Sequence, residues 1–237
     1  MSLFNGKDNK NLPPPIKRRR YYTPQEVRFH NSANDCWISM FHEVYDLTNL
    51  IQSNYGYLVD PIIKEAGNDI SHWFNNLTKD VRFKFTFKPK ELVIKDTCLK
   101  SYYTPNGTYL NIPPDFPDSS WNYNFVTPWW KDDSLKIGKL THKTRKIRII
   151  NVLSGQDDII EVCSEETINE ILDRYLPLNE HAESYTWKRL QRPLDMDLTL
   201  LENDIPDETQ EYINLDIDPD DYIPAIHIYF NDDLTEA

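Results

Sequence analysis

Residues 22–48 read YTPQEVRFHNSANDCWISMFHEVYDLT, and this stretch decides the fold of the N-terminal part of the chain. Thr23 and Glu26, with a proline directly after the threonine, form a helix-start signature in which Thr23 is the N-cap and Glu26 completes a capping box. The runs Cys36–Met40 and Val44–Leu47 are short, β-prone and rich in aromatic residues, which predicts two paired strands. We therefore expect a helix followed by a hairpin. Farther along, Asp69 is placed to cap a later helix.

The whole chain divides by composition into five parts. Residues 1–20 are rich in asparagine, proline and basic residues, which predicts a disordered basic arm. The first folded module is expected over residues 21–91, and a second over residues 143–231. Between them, residues 92–142 predict an ordered strap rich in aromatic residues and proline. Residues 232–237 predict an acidic tail.

The predicted strap is too aromatic for a free linker, and its prolines exclude a regular helix because they remove backbone donors and fix φ. We expect an extended segment that lies on one or both modules, or on another protein. Trp129 and Trp130 are predicted to anchor it in an interface, since tryptophan dominates interface hot spots. Replacing both with alanine is then expected to release the protein from its assembly without unfolding either module.

The second module shows the order hairpin, helix, short strands and a late final strand. Residues 145–152 alternate polar and apolar side chains, as a half-buried strand does, and residues 159–162 predict its partner. Ser164 is predicted to cap an amphipathic helix. This order resembles the β-grasp of the ubiquitin-like family. Because residues 230–237 contain no glycine for an isopeptide-forming tail, the resemblance implies an integral interaction domain.

Charge and hydropathy exclude several classes of partner. From Asp195 to the end there are fourteen acidic residues and no lysine or arginine, which repels nucleic acid. The basic run at residues 17–20 predicts either a solvated tail or contacts near an acidic surface such as a microtubule lattice. No apolar run approaches the ~20 residues that cross a bilayer, so we expect no membrane partner and a cytoplasmic protein. The three scattered cysteines predict buried free thiols.

The first module resembles the cytochrome b5 family. The resemblance is carried by residues 22–27, His30 and Asn31, Trp37 and Ile38, residues 44–48, and residues 66–71 with Phe74. It implies an α+β fold around a hydrophobic slot, in which the family holds heme iron between two histidines. The first family ligand lies in a His-Pro-Gly-Gly turn, where residues 54–57 here read NYGY, and the second falls on Lys79. Both family ligands are missing.

Three hypotheses for the slot stay open at this point. In the first, the fold is kept as a shape and binds no heme. In the second, Tyr55 binds heme weakly and only in its ferric state, because phenolate is a hard donor that favours Fe(III). This resembles the membrane-associated progesterone receptor branch, and Lys84 or His72 is the candidate opposite ligand. In the third, the module transfers electrons as ordinary cytochrome b5 does. A plainer hypothesis makes His72 a partly exposed residue that interacts with Asp69.

No constellation of a nucleophile and a base, and no phosphate-binding glycine loop, can be assembled from the sequence, so an enzyme is not expected. Over its length, the order of a b5-like and a ubiquitin-like module resembles a family of axonemal proteins. That resemblance implies a non-catalytic scaffold in the stalk of the radial spokes, within the cytoskeleton of the cilium axoneme and needed for ciliary beating. Its partners would be other axonemal and radial spoke proteins. The alternative is a redox-dependent heme sensor that uses Tyr55.

Overall fold

The computed structural model describes residues 20–54, 56–87, 98–113 and 127–231, with side chains described for all of these except residues 84–87 and 98–101. This part of the chain contains two five-stranded sheets and one two-stranded sheet, together with helices, and confirms the predicted α+β class. None of its helices is long and apolar enough to cross a membrane. The predicted acidic tail and all of the predicted basic arm except Arg20 lie outside the described residues.

The first sheet is built around the predicted hairpin. Its part of the chain contains β1 (Tyr21–Tyr22), α1 (Pro24–Phe29), β2 (Asn31–Ser32), β3 (Asp35–Met40), β4 (Glu43–Asp46), α2 (Thr48–Ser53), α3 (Asp60–Lys64), β5 (Phe83–Phe87), β6 (Cys98–Tyr102) and β7 (Lys136–Leu140). The strand order is β1-β7-β4-β3-β2, while β5 and β6 pair with each other. Strand β7 is parallel to β1 and antiparallel to β4. The first sheet therefore extends beyond residue 91 and takes its second strand from the predicted strap.

Local sequence fixes the start of α1 and the turn of the hairpin. The Thr23 hydroxyl accepts from the backbone N–H of Glu26 at 3.1 Å, and the Glu26 carboxylate accepts from the backbone N–H of Thr23 at 2.8 Å. The predicted capping box is thus confirmed. Between β3 and β4, Phe41 and His42 both have positive φ, of 54° and 64°. Positive φ at both central residues suits the right-handed twist of a two-residue hairpin turn.

The second sheet lies entirely within residues 144–230. Its part of the chain contains β8 (Thr144–Asn151), β9 (Asp157–Cys163), α4 (Ile168–Tyr175), β10 (Tyr185–Arg189), β11 (Arg192–Pro193), α5 (Thr209–Asn214) and β12 (Ala225–Phe230). The strand order is β11-β10-β12-β8-β9, with β12 parallel to β8 in the middle. The prediction that Ser164 caps α4 is wrong. Thr167 is the N-cap, because its hydroxyl accepts a hydrogen bond from the backbone N–H of Glu170. In return, the Glu170 carboxylate accepts a hydrogen bond from the backbone N–H of Thr167.

A short joint connects the two sheets, since only residues 141–143 lie between β7 and β8. Across this joint, the side chain of Arg174 on α4 is 6% exposed and pairs with Glu26 of α1. The same guanidinium also contacts the fully buried carboxylate of Glu166, with Nη2 of Arg174 2.7 Å from Oε1 of Glu166. Removing one member of a buried ion group leaves an uncompensated charge. Arg174 therefore fixes the orientation of the second module against the first. No local sequence pattern reveals this role, because the capping box alone accounts for Glu26.

A second ion pair crosses the same joint. Arg20 donates through Nε to Oε1 of Glu170 at 2.7 Å, and its exposed guanidinium lies at the start of β1. Burial alone would raise the pKa of the Glu170 carboxyl, but hydrogen bonds from Arg20 and from the backbone of Thr167 outweigh burial and lower it. The carboxylate of Glu170 is thus held ionised beside its partner.

Candidate functional site

The candidate site is the region of the first module where the cytochrome b5 family holds heme, and of its three predicted ligands only His72 has a described side chain. Tyr55 lies outside the described residues. Lys84 lies in β5, opposite Ser101 of β6, and its side chain is not among those described. His72 lies on a 3₁₀ helix, Ser71–Trp73, where its ring is exposed and edge-on to that of Trp73 at 6.4 Å. No described contact joins the three candidates.

Lys79 occupies the position of the second family ligand, and it faces the protein surface. Its ammonium lies 3.4 Å from the centroid of the Phe41 ring, a cation–π contact with the hairpin turn. The prediction that Asp69 caps a helix is wrong, because this segment forms only the 3₁₀ helix Ser71–Trp73, whose N-cap position is Ile70 and carries no side-chain cap. The Asp69 carboxylate instead accepts from the backbone N–H of Ser71 at 2.9 Å. The same carboxylate accepts from the Ser39 hydroxyl at 3.1 Å. These hydrogen bonds, and not a bond to His72, occupy Asp69 in the described structure.

Five aromatic side chains fill the core beside this region, and we call them the aromatic plug: Trp73, Phe74, Tyr109, Trp129 and Trp130. All five are buried. The Tyr109 ring lies 4.7 Å from that of Trp73 and 6.2 Å from those of both Trp129 and Trp130. Phe74 lies 6.1 Å from Trp129 and 5.8 Å from Trp130. Such offset and edge-to-face pairs stabilise a core beyond the area they bury.

Hydrogen bonds tie the plug to both sides of the region. The backbone N–H of Leu110 donates to the carbonyl of Leu58, in the segment that follows Gly56 in the first-ligand turn, at 3.1 Å. The indole of Trp129 donates to the carbonyl of Leu110 at 3.1 Å. On the opposite side, the indole of Trp130 donates to the carboxylate of Asp80, the residue after Lys79, at 3.3 Å. These hydrogen bonds link the plug to Asp80 and, through Leu110, to Leu58.

Asp80 anchors the plug electrostatically as well. Lys131, which follows the two tryptophans, places its ammonium 2.7 Å from Oδ2 of Asp80. Burial would raise the pKa of the Asp80 carboxyl, but the hydrogen bonds from Lys131 and Trp130 outweigh burial and lower it. The Asp80 carboxylate is therefore favoured in its charged form, in which it binds both Trp130 and Lys131.

Two polar atoms of the plug are left without a partner. The hydroxyl of Tyr109 and the indole N–H of Trp73 are buried and have no hydrogen bond to any described residue. An unsatisfied buried donor costs about 1–3 kcal/mol of stability. Burial, together with the nearby Asp80 carboxylate, raises the pKa of Tyr109, so its phenol keeps its proton. A protonated phenol is not the anionic oxygen donor that ferric iron prefers.

The described residues do not fit a heme held as in the cytochrome b5 family. A bis-histidine site needs an open slot with an imidazole on each side. Here the resemblance places one family ligand on Lys79, whose side chain contacts the Phe41 ring, and five aromatic rings pack together in the core of the module. Among the described residues, no group of three or more histidine, cysteine or acidic side chains is placed to hold a metal ion. The third hypothesis, ordinary electron transfer, therefore has no support in this geometry.

The structure also corrects the predicted role of Trp129 and Trp130. They were expected to project onto a partner, yet they are 2% and 7% exposed and belong to the core of the first module. Their aromatic density was a visible sequence signal, but it does not distinguish a core from an interface. The same segment supplies β7 directly afterwards, so the tryptophans are carried into the fold by the strand that completes its sheet.

The predicted burial of the cysteines is confirmed at the two positions where the side chain is described. Cys36 and Cys163 are buried free thiols. Burial, with the nearby carboxylates of Asp46 and Asp35, raises the pKa of Cys36 to about 12. Burial likewise raises the pKa of Cys163. Since the thiolate is the reactive form, neither thiol is poised as a nucleophile.

Comparison with known proteins bears on the same module. Residues 23–107 match the family model described as "Cytochrome b5-like Heme/Steroid binding domain". Cytochrome b5 of Sus scrofa is 30% identical over 116 residues, covering 47% of this chain and 82% of that protein. This match makes heme a possible cofactor for a domain of this fold, even though the described residues do not form the two-histidine site.

Two relatives match over nearly the whole chain. "Cytochrome b5 domain-containing protein 1" of Xenopus laevis is 53% identical over 220 residues, which cover 92% of this chain and 98% of that protein. The human protein of the same name is 48% identical over 220 residues, covering 92% of this chain and 93% of its own length. The likeness therefore includes both modules and the segment between them. On this evidence, the chain belongs to the family of cytochrome b5 domain-containing protein 1.

Proposed function

We propose that the protein is a non-catalytic structural component of the ciliary axoneme, placed in the stalk of the radial spokes, where it binds neighbouring axonemal proteins. The observation that supports the scaffold role is the aromatic plug, five packed rings in the core of the b5-like module. A domain that keeps the b5-like sheet but fills its slot retains a surface and loses a cofactor site. The axonemal location rests on the resemblance of the whole sequence.

The joint between the modules supports the same role. Arg174 holds Glu26 of one module and Glu166 of the other, and Arg20 reaches Glu170 beside them. A part that transmits force between neighbours gains from modules that keep one mutual orientation. Flexible tandem domains, by contrast, are joined by linkers across which few contacts form.

We further propose that the second module is a ubiquitin-like β-grasp. Its support is the sheet order, in which β12 inserts between β8 and β10 and runs parallel to β8. Helix α4 packs its buried side chains, among them Ile168, Ile171 and Tyr175, against the face that carries Ile147 and Ile149. Such a module serves as an interaction surface, and it needs no catalytic group.

The location and the scaffold role can be tested in ciliated cells that lack the endogenous protein. We expect the tagged full-length chain to remain with axonemes after detergent extraction, and subtomogram averages of the deletion cells to lack density in the radial spoke stalk. The tag alone serves as the control and should leave with the detergent-soluble fraction. Full solubility of the tagged chain, or unchanged stalk density in the deletion, would contradict the proposal.

A second candidate function is favoured by the two unpartnered polar atoms of the plug. The Tyr109 hydroxyl and the Trp73 indole N–H destabilise the packed form, so a state in which the plug shifts and these atoms gain partners costs less than a fully satisfied core would. In that state the domain would bind ferric heme weakly, as a redox-dependent sensor, with Tyr55 as the candidate donor.

Hemin titration separates the two functions. A sensor predicts a Soret band with stoichiometric hemin that fades on reduction with dithionite and is lost in Tyr55→Phe. Tyr57→Phe, two residues away, is the matched control and should keep the band. No change of absorbance in the wild type would leave only the scaffold.

A further inference from the structure

We propose that the outer edge of β9 is a docking site for an extended segment of a partner protein, in which an apolar residue is flanked two positions away on each side by a basic residue. The inference concerns the second module and the cleft beside α1, and it holds whether or not the protein resides in an axoneme. It rests on three observations: an unpaired strand edge, a cleft beside that edge with two exposed apolar side chains in its walls, and the spacing of acidic side chains along the edge.

Strand β9 is the last strand of its sheet, with β8 on one side only. Two hydrogen bonds beyond the ends of the ladder fix which backbone groups face β8. The N–H of Ser164 donates to the carbonyl of Lys143, and that of Asn151 donates to the carbonyl of Gln156. Because paired and unpaired positions alternate in an antiparallel ladder, residues 158, 160 and 162 bond to β8.

The intervening residues, 157, 159 and 161, therefore direct their N–H and C=O groups to the open edge. Cys163, two residues beyond Glu161, supports this assignment. Its backbone N–H points away from β8 and donates to the carboxylate of Glu166 at 2.9 Å. Within the described part of the chain, no strand covers the edge at Ile159 and Glu161. Such a row of unpaired groups is a template for an added strand.

A cleft of about 410 Å³ lies at this edge, between β9 and α1. Its walls include two exposed apolar side chains, Phe29 of α1 at 72% and Ile159 of β9 at 52%. They come from different modules, and the joint at Arg174 forms part of the cleft. An apolar side chain of an added strand, placed opposite Ile159, would contact both. The cleft thus supplies a pocket for one side chain, and the backbone edge supplies the hydrogen bonds.

Charge decides between a second copy of this chain and a different partner. Asp157, Ile159 and Glu161 carry their side chains on one face of β9, because alternate residues of a strand share a face. Antiparallel pairing of two copies centred on Ile159 would place Asp157 of each copy opposite Glu161 of the other. Like charges directly opposite destabilise a strand pair. On the side of β8, Asp157 lies 3.6 Å from Arg148 and Glu161 is paired with Lys146 in the strand register. On the open side, a strand with basic residues at those two positions and an apolar residue between them avoids the like-charge repulsion and places opposite charges across the edge.

The probe is a capped peptide, Thr-Lys-Thr-Val-Thr-Lys-Thr, added to the full-length ¹⁵N-labelled protein at concentrations up to about 1 mM, which detects affinities near −4 kcal/mol. We expect the amide resonances of Ile159 and Glu161 to shift most. A peptide with N-methylvaline at the centre keeps the side chain and removes the central N–H, so it should bind at least about tenfold more weakly, a difference of about 1.4 kcal/mol.

Variants of the protein complete the test. Glu161→Lys should lose the lysine peptide and gain a peptide with glutamate in place of both lysines. Ile159→Thr should weaken binding, while Leu178→Thr, which changes a side chain exposed to the same extent at 51%, should not. The spectrum of each free variant reports whether it is folded. Absence of shifts, shifts remote from β9, equal binding of the N-methylated peptide, or a homodimer lost in Ile159→Pro would each overturn the proposal.

Discussion

Replacing Trp129 with alanine is the most informative single change in the first module. The indole is 2% exposed, packs on Phe74, Tyr109 and Trp130, and donates to the carbonyl of Leu110. A buried tryptophan removes about 200 Å² from water, which at about 25 cal/mol per Å² gives an upper bound near 5 kcal/mol. Measured losses for such truncations are about 3–5 kcal/mol. We expect Trp129→Ala to lower the free energy of unfolding by about 4 kcal/mol.

Urea unfolding followed by far-ultraviolet circular dichroism measures this loss, and near-ultraviolet dichroism reports the packing of the aromatic plug. Tyr57→Ala is the control, because its side chain is 72% exposed in the same module and should change stability by less than about 0.5 kcal/mol. If Trp129→Ala cost less than about 1 kcal/mol with an unchanged denaturant slope, the tryptophan would not belong to the core. The interface role predicted from the sequence would then be restored.

Three further predictions follow from the same contacts. Tyr109→Phe removes a buried hydroxyl that has no hydrogen-bond partner among the described residues, so the free energy of unfolding should rise by about 1 kcal/mol, and a fall of that size would reveal a hidden partner. Arg174→Met leaves the buried carboxylate of Glu166 uncompensated and should cost about 3–5 kcal/mol in urea unfolding; a loss below about 1 kcal/mol would refute a rigid joint. Because the folded pKa of Asp80 is lowered, its contribution is full above the ordinary value of about 4 and is lost as the pH falls through the folded value. Thermal unfolding of Lys131→Met should therefore lose part of the acid sensitivity of the wild type, and identical pH profiles would contradict this.

The sequence predicted the features that depend on local chemistry. The capping box of Thr23 and Glu26 needs only neighbouring residues, and it is present. The hairpin of β3 and β4 could likewise be predicted, because strand propensity is readable along the chain. At the start of α4, the N-cap is Thr167 and not the predicted Ser164. The prediction failed there because Ser164 instead donates its hydroxyl to the carbonyl of Lys143.

What could not be predicted depends on contacts between distant parts of the chain. Strand β7 joins β1 across more than a hundred residues, and its short alternating sequence does not reveal its partner. Trp129 and Trp130 have the same composition whether they face a core or an interface, so only the fold decides between them. The pairing of Arg174 with Glu26 joins two modules, and no local pattern marks it.

We infer that the segment carrying Tyr109 belongs to the core of the first module and does not move aside to open a heme slot. Amide hydrogen exchange of the unmodified protein tests it most directly, at Leu110, which donates to Leu58, and at Ile112, which donates to Tyr109. We expect both amides to exchange only through global unfolding, with protection factors above roughly 5 × 10³, as expected for a domain stable by more than about 5 kcal/mol. Protection below roughly tenfold at both amides would contradict it.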